Sequence, residues 1–268
     1  MNGMNDLPNL SPGLVALFSR YGAGYLSRNF HAVRLSRAER PDRGALRARP
    51  LIVYLNHPSW WDPMMCLLLA RRIFPERRHF GPMDAVGLEK YKFFGKLGFF
   101  GIEPGTARGA RRFLGVSQAL LAQRDTALWI TAGGHFADPR ERPVHLRPGL
   151  GHLIHRLDQV SILPLALEYP FWEERFPEAL ARFGELLHVQ GDALSPSGWT
   201  ELLEDRLAAT QDALAAESLE RDPARFEALV GGRAGVGGVY DVWRRFQARL
   251  RGRSFRPEHG KVDLEIEV

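Results

Sequence analysis

Tyr54-Leu55-Asn56-His57-Pro58-Ser59-Trp60-Trp61-Asp62-Pro63 joins a short apolar run to a helix start and sets a histidine five residues ahead of an aspartate. The preceding Leu51-Ile52-Val53-Tyr54-Leu55 is apolar and rich in β-formers, as a buried strand is. Pro58 disfavours helical backbone at His57, and Asp62-Pro63 reads as an N-cap followed by proline at the first helical position. On one continuous helix, residues five apart diverge by roughly 140°. His57 is therefore expected on a loop that folds back toward Asp62. Ser59 and Asp62 also have capping-box spacing, so a purely structural reading of Asp62 stays open.

The two residue types suit acyl chemistry. A hydroxyl is a poor nucleophile near neutral pH, and an imidazole titrates close to that pH and can take its proton. A carboxylate on the other ring nitrogen sets the tautomer and stabilises the imidazolium that forms. His57 is the candidate base and Asp62 its orienting acid. Trp60 and Trp61 between them either line an acyl path or pack under the loop.

Working outward, the chain alternates between helix-like and strand-like stretches. Residues 63–74 read as helix, 79–82 as extended, 88–97 as helix, 106–123 as a long helix, 128–131 and 160–168 as strands, and 199–219 as helix. Such alternation predicts an α/β fold, a mixed sheet flanked by helices, with the active loop at a strand's C-terminal edge. No internal repeat is visible. The expected division is an N-terminal amphipathic segment over residues 1–40, an α/β core over 41–195 and a basic helical tail over 196–268.

The motif resembles the His-x-x-x-x-Asp signature of the phospholipid and glycerol acyltransferase family, whose lysophosphatidic acid acyltransferases are its best-known members. Three further blocks follow in the family's order: Gly98-Phe99-Phe100-Gly101-Ile102-Glu103, then Leu128-Trp129-Ile130-Thr131-Ala132-Gly133-Gly134, then Ile162-Leu163-Pro164-Leu165-Ala166. Ordered blocks are less probable by chance than one motif, and together these span roughly residues 50–170. The resemblance implies transfer of an acyl group from acyl-CoA or acyl-carrier protein to a lipid hydroxyl, with His57 and Asp62 catalytic and no metal or other cofactor. The substrate-contacting residues expected around them are Asn56, Ser59, Glu103, Arg108, Arg111, Gly133, Gly134, His135 and Pro164. Two departures stand out. Pro104 follows Glu103 where the family usually has arginine, and Thr131-Ala132-Gly133-Gly134-His135-Phe136 replaces the usual Phe-Pro-Glu-Gly-Thr-Arg. Both changes remove residues that the family associates with a glycerol phosphate acceptor.

The loop Gly101-Ile102-Glu103-Pro104-Gly105-Thr106-Ala107-Arg108-Gly109-Ala110-Arg111-Arg112 enters a helix with glycines and arginines. It is either an anion site that substitutes for the missing arginine or a solvated helix start. Gly133-Gly134 backbone amides are candidate oxyanion donors, Pro164 a candidate wall of the acyl pocket, and His135 with Arg147 candidate acceptor contacts.

At 268 residues and 45% hydrophobic content the chain can bury one large core. The lone cysteine, Cys66, excludes an intrachain disulfide, suits a reducing compartment and lies in an apolar run fit for packing. No apolar stretch reaches the roughly 18 residues of a spanning helix. The formal net charge is +5 and the sequence pI about 9.6, which suits a phosphate-bearing partner. Two amphipathic stretches select a membrane surface over nucleic acid. Leu14, Leu17, Phe18, Tyr21, Tyr25, Leu26 and Phe30 recur at helical spacing over residues 12–35. Val239, Tyr240, Val242, Trp243, Phe246 and Leu250 alternate with arginines near the other end. The expected location is cytoplasmic, peripheral on the inner face of the membrane. Either stretch also reads as an ordinary surface helix packed on the domain.

Three other readings compete. His135, Asp138, Glu141, His145, His152 and His155 are metal-ligand types that would suit a metal-dependent hydrolase, although no His-Glu-x-x-His unit is present. Gly115-Val116-Ser117-Gln118-Ala119 lacks the second glycine of a nucleophile elbow. A lipid-binding or scaffolding protein that kept the fold without turnover is the alternative from another functional class.

Overall fold

The computed structural model describes residues 7–42, 44 and 49–232. Six α-helices and nine strands alternate through them: α1 (Pro12–Asn29), β1 (Ala32–Ser36), β2 (Leu51–Leu55), α2 (Asp62–Ile73), β3 (Arg78–Asp84), α3 (Ala85–Lys90), β4 (Phe99–Ile102), α4 (Ala107–Leu121), β5 (Thr126–Thr131), α5 (Gly149–His155), β6 (Val160–Glu168), β7 (Glu178–Phe183), β8 (Leu187–Val189), α6 (Pro196–Glu220) and β9 (Phe226–Gly231). The strands form one sheet in the order β4-β3-β5-β2-β6-β7-β1-β9, with β8 paired to β6. β2 runs parallel to both neighbours, whereas β6 with β7 and β1 with β9 are antiparallel. The sheet is thus mixed and flanked by helices, as the alternation of elements predicts.

β2 is buried along its whole length because both faces of the sheet are covered. Side chains on a strand alternate between faces. Leu51, Val53 and Leu55 join Leu26 and Phe30 from the α1 region and Met65, Leu69 and Ile73 of α2 on one side. Ile52 and Tyr54 meet Phe113 and Val116 of α4, Leu153 of α5 and Trp199 and Leu203 of α6 on the other. The Tyr54 hydroxyl donates to the Leu203 carbonyl, so a large polar-tipped ring is accommodated in the core.

Several elements differ from the sequence reading. The helix expected over 88–97 is the short α3 followed by a 3₁₀ turn, Lys92–Leu97. Gly98 ends it with φ of 101°, and a Cβ there would lie 2.2 Å from the His79 carbonyl oxygen. The amphipathic run over 12–35 is helical only to Asn29, and Ala32-Val33-Arg34-Leu35 instead pairs as β1 with β7 and β9. α6, which opens the stretch read as a basic helical tail, buries Trp199, Leu203, Leu207 and Leu214 against the sheet. Parts of both terminal stretches are therefore built into the fold. The aromatic and arginine-rich run from Val239 to Leu250 lies outside the described residues. Among the described residues no helix is long and apolar enough to cross a membrane.

β1 and β7 are joined by ionic contacts as well as by backbone pairing. Glu178, 2% exposed, accepts from His31 Nδ1 at 2.5 Å and from Arg34 Nε at 2.8 Å. The hydrogen bond to Glu178 holds the His31 imidazole above its ordinary pKa, against the opposing effect of burial. The folded state therefore binds this proton more tightly than the unfolded chain. The resulting stabilisation is fully present below about pH 6.5, the unfolded value, and is lost as pH rises through the raised folded value. Denaturant titrations of the wild type and His31→Gln should show the stability advantage of the wild type shrinking as pH rises above about 6.5.

Candidate active site

β2 ends at Leu55, where its parallel neighbours β5 and β6 are still in register at Thr131 and Leu165. Asn56 then carries the ladder one step further through its side chain. Its Nδ2 donates to the Leu167 carbonyl and its Oδ1 accepts from the Leu167 N–H, each at 2.9 Å. The buried Asn56 amide thus splices the start of the loop to β6 and does not stand open for substrate, which corrects the expectation of a substrate contact.

Pro58 turns the chain, and the loop returns the imidazole to the first turn of α2. His57 Nδ1 lies 2.5 Å from Asp62 Oδ2. Asp62 has no exposed surface and the His57 side chain is 19% exposed. A carboxylate on Nδ1 makes Nε2 the nitrogen able to accept a proton. Asp62 is already helical and Trp61 occupies the cap position, with Pro63 following inside the first turn, so the N-cap reading of Asp62 is corrected. Its Oδ2 accepts the Ser59 N–H at 3.2 Å, while the Ser59 hydroxyl accepts from the Trp61 N–H. Ser59 is thereby a turn former that supports the carboxylate.

Two residues that the sequence reading passed over complete the surroundings. The Tyr169 hydroxyl donates to Asp62 Oδ1 at 2.6 Å. Burial, followed by the adjacent Asp62 charge, pushes the phenol well above its usual pKa, so it stays a donor. Burial and the same carboxylate also push the Cys66 thiol up, which makes it a packing group. Phe136 lays its ring on the imidazole, with centroids 4.2 Å apart and planes 33° apart, yet remains 60% exposed. The Ala137 N–H donates to the His57 carbonyl and ties the two loops together. The available signal for Phe136 was its position as the one aromatic residue in a polar, glycine-rich loop. Tyr169 had a weaker signal, its place immediately after β6.

Other expected contacts are used locally. The Gly134 N–H donates to the Thr131 carbonyl inside a turn that requires φ of 69° at Gly134, so that amide is not an oxyanion donor. His135 Nδ1 bonds the Gly133 carbonyl, and Arg147 reaches the carbonyls of Gly133 and Gly134. Pro164 lies between the stretches of β6 that pair with β8 and β7, where a strand tolerates a missing N–H. It faces Gly184 and Thr210, on the side of the sheet away from α2.

Glu103 and Arg108 pair with each other at 3.6 Å on the surface. They and the exposed Arg111 follow β4, three strands from β2, which at about 4.8 Å per strand is roughly 14 Å along the sheet. The glycine at 109 serves close packing, since a Cβ there would lie 1.9 Å from the Glu103 carbonyl oxygen, and its N–H is taken by the Thr106 cap. The six residues of the rival metal set do not assemble: Asp138 pairs with Arg140, and His155 bonds the Leu194 carbonyl. Among the described residues no group of three or more His, Cys, Asp and Glu is placed to hold a metal ion. Ser117 is buried inside α4, not at a strand-to-helix turn.

The crystal structure of the 1-acyl-sn-glycerophosphate (LPA) acyltransferase PlsC from Thermotoga maritima superimposes with a TM-score of 0.51 over 78% of this chain and 81% of that one, at 13% identity. The two proteins share a fold. No family model matches the chain, and no curated protein sequence does.

Asn56→Ala would leave the buried N–H and carbonyl of Leu167 without partners, at a cost of about 2–4 kcal/mol. Chemical denaturation of the purified variant should show that loss as a lowered midpoint with an unchanged slope.

Proposed function

We propose that the protein is a membrane-surface O-acyltransferase that moves a fatty acyl group from an acyl thioester, acyl-CoA or acyl-carrier protein, to the hydroxyl of a lipid. The observation that carries this reading is the 2.5 Å contact between His57 Nδ1 and the buried Asp62 carboxylate at the C-terminal edge of the central strand. The shared fold with an LPA acyltransferase supports it independently.

His57 Nε2 takes the proton of the acceptor hydroxyl as its oxygen attacks the thioester carbonyl, while Asp62 stabilises the imidazolium. The tetrahedral intermediate collapses with cleavage of the carbon–sulfur bond. The departing thiolate takes the proton back from His57, and the products are an ester and a free thiol. No covalent acyl-enzyme forms, and the protein's own part is acid–base chemistry. The exposed ring of Phe136 on the imidazole gives the reacting centre an apolar wall suited to an acyl chain.

The lipid-facing surface of this reading is aromatic. Leu17 and Tyr21 of α1, Trp60 of the catalytic loop, and Tyr91 and Phe93 beside the 3₁₀ turn are all exposed. Ring contacts link them through Phe18, which meets Phe93 and Tyr21, and Tyr25, which meets Trp60. Exposed Arg20, Lys90, Lys92 and Lys96 border the same elements. Aromatic anchors with basic neighbours suit an anionic bilayer, and the expected location is the cytoplasmic face.

With a labelled long-chain acyl thioester and a lysolipid, His57→Ala should lose on the order of 10²-fold or more in turnover. Asp62→Asn should be severely impaired while keeping its circular dichroism. Full activity in His57→Ala would end the mechanism. A protein that binds lipid but never consumes thioester would be the scaffold of the same fold.

Leu17→Asp together with Phe93→Asp should reduce co-sedimentation with vesicles containing phosphatidylglycerol and slow transfer to a bilayer-held acceptor. Transfer between short-chain soluble substrates should stay near the wild-type rate. Undiminished vesicle binding would remove this surface from the model of docking.

A further inference from the structure

We infer that Tyr169 is a positioning residue for the acid–base pair, acting through the second oxygen of Asp62. The inference rests on the acyltransferase reading for its consequence, while the geometry stands apart from it.

Asp62 has no exposed surface, so donors must replace the water its carboxylate would otherwise keep. Three are present and they divide the two oxygens between them. Oδ2 takes His57 Nδ1 at 2.5 Å and the Ser59 N–H at 3.2 Å, and Oδ1 takes the Tyr169 hydroxyl at 2.6 Å. A carboxylate held on one oxygen alone can turn about its terminal torsion, which has a broad profile. Held on both, its plane is set, and with it the direction from which Oδ2 meets the imidazole. Tyr169 thus fixes the acceptor that orients the base.

The placement of the phenol follows from the fold. β6 runs parallel to β2 and is in register with it up to Leu165, and the Asn56 amide extends that register to Leu167. A residue just beyond β6 is therefore carried beside the loop that follows β2. Tyr169 packs on Phe30 at the end of α1, at a centroid distance of 5.6 Å, and Phe30 also meets Trp61 edge-on at 4.9 Å. The same aromatic contact thus fixes the phenol and the turn that presents Asp62. Burial keeps the hydroxyl protonated, so it remains a donor at any pH where the imidazole works.

Loss of the phenol donor has two effects. The carboxylate turns more freely, and its charge, shared among fewer donors, bears more strongly on the imidazole. Tyr169→Phe preserves the ring and its packing. It should lower kcat on the order of 10-fold, the scale of one charge-assisted hydrogen bond, with KM for thioester and acceptor unchanged. The acidic limb of its kcat/KM profile should move to higher pH, and the His57 Nδ1 proton resonance should move downfield in the substrate-free protein. Replacement of Tyr169 by 3-fluorotyrosine, a stronger donor of nearly the same shape, should move the limb the other way, and it serves as the test if Tyr169→Phe folds poorly.

A Tyr169→Phe protein whose kcat, pH profile and proton resonance superimpose on the wild type overturns the inference. So does one whose KM rises with kcat unchanged, because that result makes Tyr169 a binding contact. Failure of the acyltransferase reading would be seen separately, as full turnover in His57→Ala or none in the wild type. The proton resonance reports on Tyr169 in either case.

Discussion

A carboxylate with no solvent exposure has to find its donors within the protein, and the arrangement around Asp62 follows from that constraint. The three donors come from two parts of the chain: an imidazole and an amide from the loop after β2, and a phenol from the end of β6. They meet because β2 and β6 are parallel neighbours and because Asn56 continues their pairing beyond the last regular ladder position. Phe30 supports both sides of the assembly through Trp61 and Tyr169. The buried charge and the sheet register are therefore one structural problem with a single solution.

The sheet explains why the site opens where it does. Its two faces are closed by α1 with α2 and by α4, α5 and α6, so the remaining access to a central strand is at an end. At the C-terminal end of β2 the loop after β5 folds over His57, tied by the Ala137 amide and capped by the Phe136 ring. That loop holds polar turn contacts within itself and offers an apolar surface outward. An apolar, aromatic approach continues from Trp60 onto α1 and the segment around Phe93. The loop that carries His57 is thus part of the surface proposed to meet lipid.

Much of the local structure was legible because local physics set it. Pro58 and the β-rich run before it separated strand from helix. The long helix read over 106–123 is α4, Ala107–Leu121, and its cap is Thr106. Where readings failed, the missing information was long-range. Asn56 is expected from the resemblance to contact substrate, but its amide bonds a strand more than a hundred positions away. Arg108 reads as a phosphate contact in the sequence, but it pairs with Glu103 on the edge of the sheet. Gly109 looked like part of an anion loop, but it is needed for the close approach of the Glu103 carbonyl. The run over 32–35 continued a helical pattern in sequence and became strand because β7 and β9 were available to pair with it.

The amino-acid sequence alone determined the fold class, the order of most elements and the pairing of His57 with Asp62, since five-residue spacing across Pro58 is a short-range matter of backbone sterics. Tertiary structure decided what surrounds that pair. Tyr169 lies 107 positions beyond Asp62, and Phe136 lies 79 beyond His57. Only the parallel placement of β5 and β6 on either side of β2 brings a phenol to one carboxylate oxygen and an aromatic ring to the imidazole face. Strand order depends on the burial of whole faces, and no local stretch of sequence contains that information.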